Sequence, residues 1–224
     1  MRYRHKFVAA TAVLLVVLSS TTAASAANAA SAANAASTAP IAPPPVATTQ
    51  HAPMVISGYD ADVAAANGFK IVTNTDGTQK SIPVTDAAAA LLTQADNLRA
   101  AVNASRQATA GSKVATPAVT SNCGDSWVSG VKQAHDTVGF HTGFLVYLAA
   151  THYSWTVNAV GLVTLNFWHT SGAGPTSGTK SFEGGIPWVV GPGIGGVPYA
   201  SAAASVTLKD GTVCYSVGPT FTFN

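Results

Sequence analysis

Charged side chains are scarce in this chain of 224 residues, of which Asp, Glu, Lys and Arg make up only 9%. Glu183 is the only glutamate. Long solvated helices favour Glu and Lys, whereas strands favour the Thr, Val and aromatic residues that are abundant here. The shortage of charge therefore predicts a mainly β protein.

Clusters of basic residues are also lacking. Without residues 1–26 the chain holds eight basic and nine acidic residues, a net charge of −1. Nucleic acids and anionic membrane surfaces are recognised by clustered Lys and Arg. We therefore expect neither nucleic acid nor a membrane among the partners of the mature protein.

Cysteine occurs only twice, as Cys123 and Cys214. At the N-terminus, basic residues precede an apolar run over residues 7–18 and an Ala-Ser-Ala site at 24–26, which predicts a secretory signal peptide. The run is too short for a spanning helix unless the following small residues are counted. We expect an extracellular protein in which the two cysteines form a disulfide. The Ala-rich, Lys-poor composition is typical of a high-GC bacterium.

The remaining chain divides by composition into four parts. Residues 27–53 are Ala- and Pro-rich and predict a disordered spacer. Residues 54–105 predict a hairpin around Asp76-Gly77, followed by a helix that Thr85 or Asp86 caps and that runs to roughly Asn103. Residues 106–122 predict a linker. The role of 27–122, as pro-region, spacer or part of the fold, stays open.

Residues 123–224 hold 14 of the 18 aromatic side chains and alternate between apolar and polar residues. Seven or eight short strands predict an antiparallel β-sandwich or a small closed barrel. The Cys123–Cys214 disulfide would join its first and last strands. In the last strand Val213, Tyr215 and Val217 form the more apolar face, which puts Cys214 on the opposite face. The bridge is therefore expected on the outer face or across the end of the domain.

Signals for cofactors and metals are weak. The histidines of the β domain lack the close spacing of zinc ligands, and the Gly-x-Gly-x-x-Gly pattern at residues 191–196 precedes no predicted helix. We expect no cofactor and no metal. Residues 191–198 are interpreted as a loop between strands.

Gly124-Asp125-Ser126 resembles the triplet of the nucleophile loop in trypsin-like proteases. The resemblance covers three residues, and Trp127 replaces the first of the two following glycines. The family also needs a histidine upstream of the serine, where this chain has only His5 and His51.

Glu183 is the most suggestive carboxylate, because it lies beside Trp188. A glycosidase needs a second carboxylate at a suitable separation, for which Asp125 and Asp136 are the candidates. An extracellular hydrolase that uses Glu183 with one of them is thus an alternative function.

Exposed aromatics give the leading hypothesis, because Trp and Tyr rings stack on sugar rings. Alternation places Trp168 opposite Leu165 and Phe167. Trp188 lies in a short predicted strand at residues 187–190, and Tyr199 follows the predicted loop at residues 191–198. We expect these three to bind an extracellular polysaccharide or cell-wall component, with residues 170–179 and 191–198 as the rim. A further alternative is a secreted protein-binding factor, an inhibitor or antibacterial effector, that uses the Gly/Pro loop.

Overall fold

A computed structural model describes residues 47–109, 123–176, 178–199 and 202–224. The predicted signal peptide, residues 27–46 of the predicted spacer and residues 110–122 of the predicted linker lie outside these ranges. Of the helices within them, none has the length and apolar character needed to cross a membrane.

The described residues form twelve strands and two helices, and 53% of them lie in strands. The helices are α1 (Ala61–Ala66) and α2 (Asp86–Thr109). The strands are β1 (Gln50–Tyr59), β2 (Phe69–Thr73), β3 (Gln79–Pro83), β4 (Gly124–Lys132), β5 (Val138–Val146), β6 (Ala150–Val160), β7 (Leu165–Ala173), β8 (Gly178–Ile186), β9 (Gly193–Gly196), β10 (Ala204–Leu208), β11 (Thr212–Ser216) and β12 (Thr220–Phe223).

Ten of the strands form one antiparallel sheet in the order β12-β9-β6-β10-β11-β1-β4-β5-β8, with β7 paired to the free edge of β6. The expected mainly β, antiparallel fold is confirmed. The sheet curls until β7 and β8 meet through side chains, as in a sandwich, and the rings of Trp168 and Phe182 lie 5.6 Å apart. Among the described strands it does not close into a barrel.

The interior of the curled sheet is an aromatic cluster. Trp155 and Phe144 are fully buried, with ring centroids 5.0 Å apart. Tyr153 and Trp168 each contact Phe182, at 5.3 and 5.6 Å. Tilted aromatic pairs add about 0.5–1.5 kcal/mol each to the hydrophobic contribution, so these contacts hold β5, β6, β7 and β8 around one core.

Strand β1 changes the predicted domain boundary. It lies inside the main sheet, where Met54 pairs with Gly124 of β4 on one side and with Ser216 of β11 on the other. Residues 50–53, expected in the spacer, therefore belong to a central strand. Composition misled here because proline is rare in central strands, whereas in β1 the carbonyl of Pro53 still accepts a hydrogen bond from the Val217 amide.

The predicted hairpin and helix are present. Strands β2 and β3 pair as a two-stranded sheet, and the Thr85 hydroxyl accepts a hydrogen bond from the Ala88 amide at the start of α2. Ala95 of α2 is buried, and Leu98 and Val102 pack on the main core. The helix ends at Thr109, beyond the predicted boundary at residue 105.

The Cys123–Cys214 disulfide is confirmed, but its expected position on the outer face is wrong. Both cysteines are buried, with their Cα atoms 5.9 Å apart. The bond joins the residue before β4 to β11, the two strands that flank β1. Closing a loop with a sequence separation of 91 contributes about 4–5 kcal/mol in the chain-entropy model.

The inner face of β11 is polar at both ends, which explains the error. The Ser216 hydroxyl lies 2.8 Å from the Ser126 hydroxyl, and the Thr212 hydroxyl donates to Asp210. Because these hydroxyls are paired inside the protein, the inner face tolerates them. The more apolar Val213 and Tyr215 lie on the outer face.

The loop expected at residues 191–198 contains β9, which pairs with β6 and β12. Gly195 and Gly196 are buried beneath these neighbours. Residues 187–190, by contrast, were expected to be a strand and form a loop. Glycine-rich backbone can pair closely with other strands, although its composition indicates a loop.

We expect the fragment 123–224 to fold poorly, because without β1 the facing edges of β4 and β11 have no partner. The fragment 47–224, which keeps β1 and α2, should show a cooperative urea transition by circular dichroism. A cooperative transition of equal midpoint for both fragments, with the disulfide formed, would contradict a structural role for β1.

Thr142 links three parts of the core. Its hydroxyl donates to the Trp127 carbonyl at 2.7 Å and accepts from the Trp155 indole at 3.2 Å. Thr142→Val keeps the shape and leaves the buried indole N–H unpaired, so the free energy of unfolding should fall by about 1–3 kcal/mol. Urea denaturation followed by tryptophan fluorescence measures the change. Thr156→Val, at an outer-face position of β6, is the matched control and should change stability little.

Candidate functional site

The expected outward position of Trp168 is wrong. Its ring packs on Phe140 at 5.1 Å and on Phe182 at 5.6 Å, inside the curled sheet. Leu165 and Phe167 lie on the exposed face of β7 instead. Alternation correctly predicted which residues of β7 share a face. The more hydrophobic face was expected to point inward, but it points to the solvent. Trp168 is therefore partly buried and packs against the core.

Trp188 and Tyr199 are exposed, at 72% and 65% of their surface. Trp188 has a positive φ of 61°, a left-handed conformation that is strained for a bulky residue. Tyr199 lies edge-on to Tyr215, with ring centroids 5.6 Å and hydroxyls 3.4 Å apart. This hydrogen bond raises the pKa of Tyr215 above its ordinary value.

Next to Tyr215 the outer surface of the sheet carries a row of hydroxyl groups. Tyr215 pairs with Ser205, Ser205 with Ser154, and Ser154 with Ser171, on four adjacent strands. Strands lie about 4.8 Å apart, so the row extends about 14 Å. Rows on either side add further uncharged polar groups. We call this surface the hydroxyl face; its members are Ser154, Ser171, Ser205, Tyr215, Thr156, His169, Thr207 and His152.

The carboxylates of the hydrolase hypothesis are not brought together. Glu183 pairs with His141, which pairs with Ser129, four residues along β4 from Asp125. Two strand spacings and four residues correspond to a separation of about 17 Å, well beyond the roughly 5–9.5 Å of glycosidase pairs. Asp136 lies outside the strands, 3.4 Å from the ammonium group of Lys132.

A group of ionisable side chains missed by the sequence analysis surrounds Asp125. The His51 Nδ1–H donates to its carboxylate at 2.8 Å, and Arg106 of α2 lies 3.2 Å away. Trp127, half-buried, lies beside His51 with a ring separation of 6.3 Å. His51 was not predicted to lie near Asp125, because residues 27–53 were interpreted as a spacer and strand β1 was not predicted.

This group does not support the protease resemblance. His51 and Asp125 lie on the outer face, whereas Ser126 is buried on the other face. The Ser126 hydroxyl donates to the Ala52 carbonyl and contacts Ser216. A nucleophile must lie within hydrogen-bond reach of its base, and adjacent residues on a strand point to opposite faces.

A cleft of about 310 Å³ lies where α2 crosses the sheet, lined among others by Tyr59, Tyr147, Arg99 and Asp210. Burial raises the pKa of Asp210, although hydrogen bonds from the Thr212 amide and hydroxyl act in the opposite direction. Burial, and secondly the charge of Asp210, raise the pKa of Tyr59. The two Thr212 bonds give Asp210 a structural role in the β10–β11 turn.

No group of three or more His, Cys, Asp or Glu side chains in the described parts of the chain is arranged to hold a metal ion. No family model, curated protein or solved structure matches the chain. The candidate surfaces must therefore be interpreted from their own chemistry.

Asp210 should destabilise the fold as the pH rises above its ordinary pKa of 3.8. In the pH range just above 3.8 the native state still holds the proton that the unfolded chain has released, so the free energy of unfolding falls with increasing pH. Asp210→Asn should abolish this decrease. Urea unfolding of both proteins at a series of pH values measures the difference.

Asp76→Asn is the matched control, with the opposite sign. Hydrogen bonds from Thr78 lower the pKa of Asp76, so its contribution to stability is present above pH 3.8 and is lost as the pH falls through its folded pKa. Equal pH profiles for wild type and Asp210→Asn would show that Asp210 has its ordinary pKa.

Proposed function

We propose that this protein is a secreted, non-catalytic β protein that binds a neutral extracellular polysaccharide or cell-wall glycan through the hydroxyl face and Tyr199. The observation that carries the proposal is the row Tyr215–Ser205–Ser154–Ser171, with the exposed Tyr199 ring at one end. Of the three aromatic residues predicted to stack on sugar rings, Tyr199 remains part of the proposed site. The hydroxyl face takes the place of Trp168 in that site, and Trp188 lies among apolar neighbours.

The chemistry of the hydroxyl face suits a sugar chain. Its serines and threonines can donate and accept hydrogen bonds, and its histidines add ring nitrogens. One of them, His169, already bonds the Thr156 hydroxyl at 3.0 Å, which fixes the orientation of both side chains. Rigid, uncharged hydrogen-bonding groups match the neutral hydroxyls of a polysaccharide.

Tyr199 supplies the apolar contact that the hydroxyl face lacks. Its ring is held by the edge-on contact with Tyr215, which reduces the entropy lost when a sugar ring stacks on it. A flat exposed sheet is suited to an extended polymer, because several sugar units can contact successive strands at once.

The alternatives receive less support. A hydrolase that uses Glu183 with Asp125 would need the two carboxylates much closer together than the register of β4, β5 and β8 allows. Asp136 is instead paired with Lys132. A protein-binding factor that uses a protruding Gly/Pro loop would need residues 191–198 to be free, but β9 is paired on both edges.

Retention of the full chain on insoluble cellulose, chitin and peptidoglycan tests the proposal. Tyr199→Ala should weaken retention by about tenfold or more, equivalent to about 1.4 kcal/mol, because the stacking ring is lost. Tyr199→Phe is the matched control and should keep most of the retention, since the ring remains.

Ser154→Val should also weaken retention without unfolding the protein, because Ser154 is only half-buried on the outer face. Circular dichroism confirms the fold of each variant. If the oxidised full chain is retained on none of the three polymers, the glycan proposal is wrong.

A further inference from the structure

Exposed large apolar side chains are concentrated at one end of the sheet. Eight of the eleven found in the described residues lie between positions 160 and 194. Contiguous apolar patches of this kind mark interaction sites in proteins of this size. We define the apolar tip as Val160, Leu162, Val163, Leu165, Phe167 and Ile194.

The strand register makes the apolar tip continuous. Val160 of β6 pairs with Leu165 of β7 on one side and with Ile194 of β9 on the other. Phe167 lies on the same face, two residues farther along β7. Leu162 and Val163 lie in the turn between β6 and β7 and form its end.

A second loop, residues 187–192, is attached to this turn. The Leu162 amide donates to the Val190 carbonyl at 2.9 Å, and the Val190 amide donates to the Thr164 hydroxyl at 3.1 Å. Within that loop Trp188 is strained at φ 61° and remains exposed. The loop that carries the exposed Trp188 is therefore held against the turn of the apolar tip.

Several backbone groups of the two loops are hydrogen-bonded within the protein. The Gly161 amide donates to the Thr164 carbonyl at 2.9 Å, and the Val189 amide donates to the Asp136 carbonyl at 2.7 Å. The Lys132 ammonium group donates to the Val189 carbonyl. An apolar medium tolerates only backbone groups whose hydrogen bonds are made within the protein. The hydrogen bonds of these loops therefore lower the free-energy cost of transferring them from water into such a medium.

Charged residues are absent from the long stretches of sequence that form this end of the sheet. Residues 137–179 and 184–208, which supply the apolar tip and Trp188, contain no Asp, Glu, Lys or Arg. The nearest charges, Lys132 and Asp136, neutralise each other at 3.4 Å. A protein surface without charged side chains is suited to an electroneutral membrane surface. It has no basic groups that would attract an anionic membrane surface.

We propose that the apolar tip inserts into the interface of a zwitterionic phospholipid bilayer. Leu165 directly follows the turn and Phe167 lies about 7 Å farther along β7, a length comparable with the burial depth of about 5–10 Å of interfacial segments. The face becomes polar at Asn158, which pairs with Phe167, and beyond it at Thr156 and His169, which sets the limit of insertion. Trp188 takes the interfacial position that tryptophan prefers.

This contact differs from the membrane binding that the low charge argues against. That prediction concerned attraction of basic clusters to anionic lipid, whereas apolar insertion needs no charge. The proposal also does not depend on the glycan proposal, because the hydroxyl face begins where the apolar tip ends.

Co-sedimentation of the oxidised full chain with phosphatidylcholine vesicles tests the proposal. We expect binding that is equal on vesicles with and without phosphatidylglycerol and unchanged by high salt. Val163→Asp, at the 80% exposed end of the turn, should lower the partition coefficient about tenfold or more. Trp188 fluorescence should shift to the blue on binding, and Trp188→Phe should remove that shift but keep the binding.

Val84→Asp is the matched control, because Val84 is 58% exposed and lies far along the chain from the tip, before α2. It should bind like wild type. The apolar run at residues 7–18 is common to all these proteins, so only the difference between the two Asp variants counts as evidence.

Three results would overturn the proposal. These are binding that Val163→Asp leaves unchanged, binding that requires anionic lipid and disappears in high salt, and a dimer in sedimentation velocity that Val163→Asp dissociates in place of any vesicle binding. The last would assign the apolar tip to a second copy of the chain.

Discussion

The pairing of β1 on both of its edges is the constraint on which the remaining structure depends. Its hydrogen bonds connect β11 on one side with β4 on the other, so the sheet is continuous only while β1 is in place. The buried Cys123–Cys214 bond joins the same two neighbours. Backbone pairing and a covalent link therefore fix the same junction, and the curl that encloses the aromatic core follows from it.

The outer surface of the curled sheet divides into two chemically distinct parts. Along β6 and β7 the paired residues change from Val160 and Leu165 at the turn to Ser154 and Ser171 farther on. Neither part contains Asp, Glu, Lys or Arg, which leaves hydrogen bonding and apolar contact as the main means of recognition. This division is the physical basis for proposing two different surfaces with two different ligands.

The carboxylates of Asp125 and Asp210 lie apart from both surfaces. Asp125 is held by His51 and Arg106 on another part of the sheet, and Asp210 is occupied by Thr212 in a turn. These carboxylates have structural partners, and none lies beside an accessible nucleophile.

The sequence by itself determined the class of the fold, the disulfide partners, the β2–β3 hairpin and the start of α2, because alternation, turn residues and caps act locally. It did not determine which side of a strand faces inward, since alternation defines two faces and only a neighbouring strand decides between them. Trp168 and Cys214 turned inward for that reason. The place of β1, and with it the His51–Asp125 pair, was likewise decided by tertiary structure, because pairing partners 74 residues away leave no local signal.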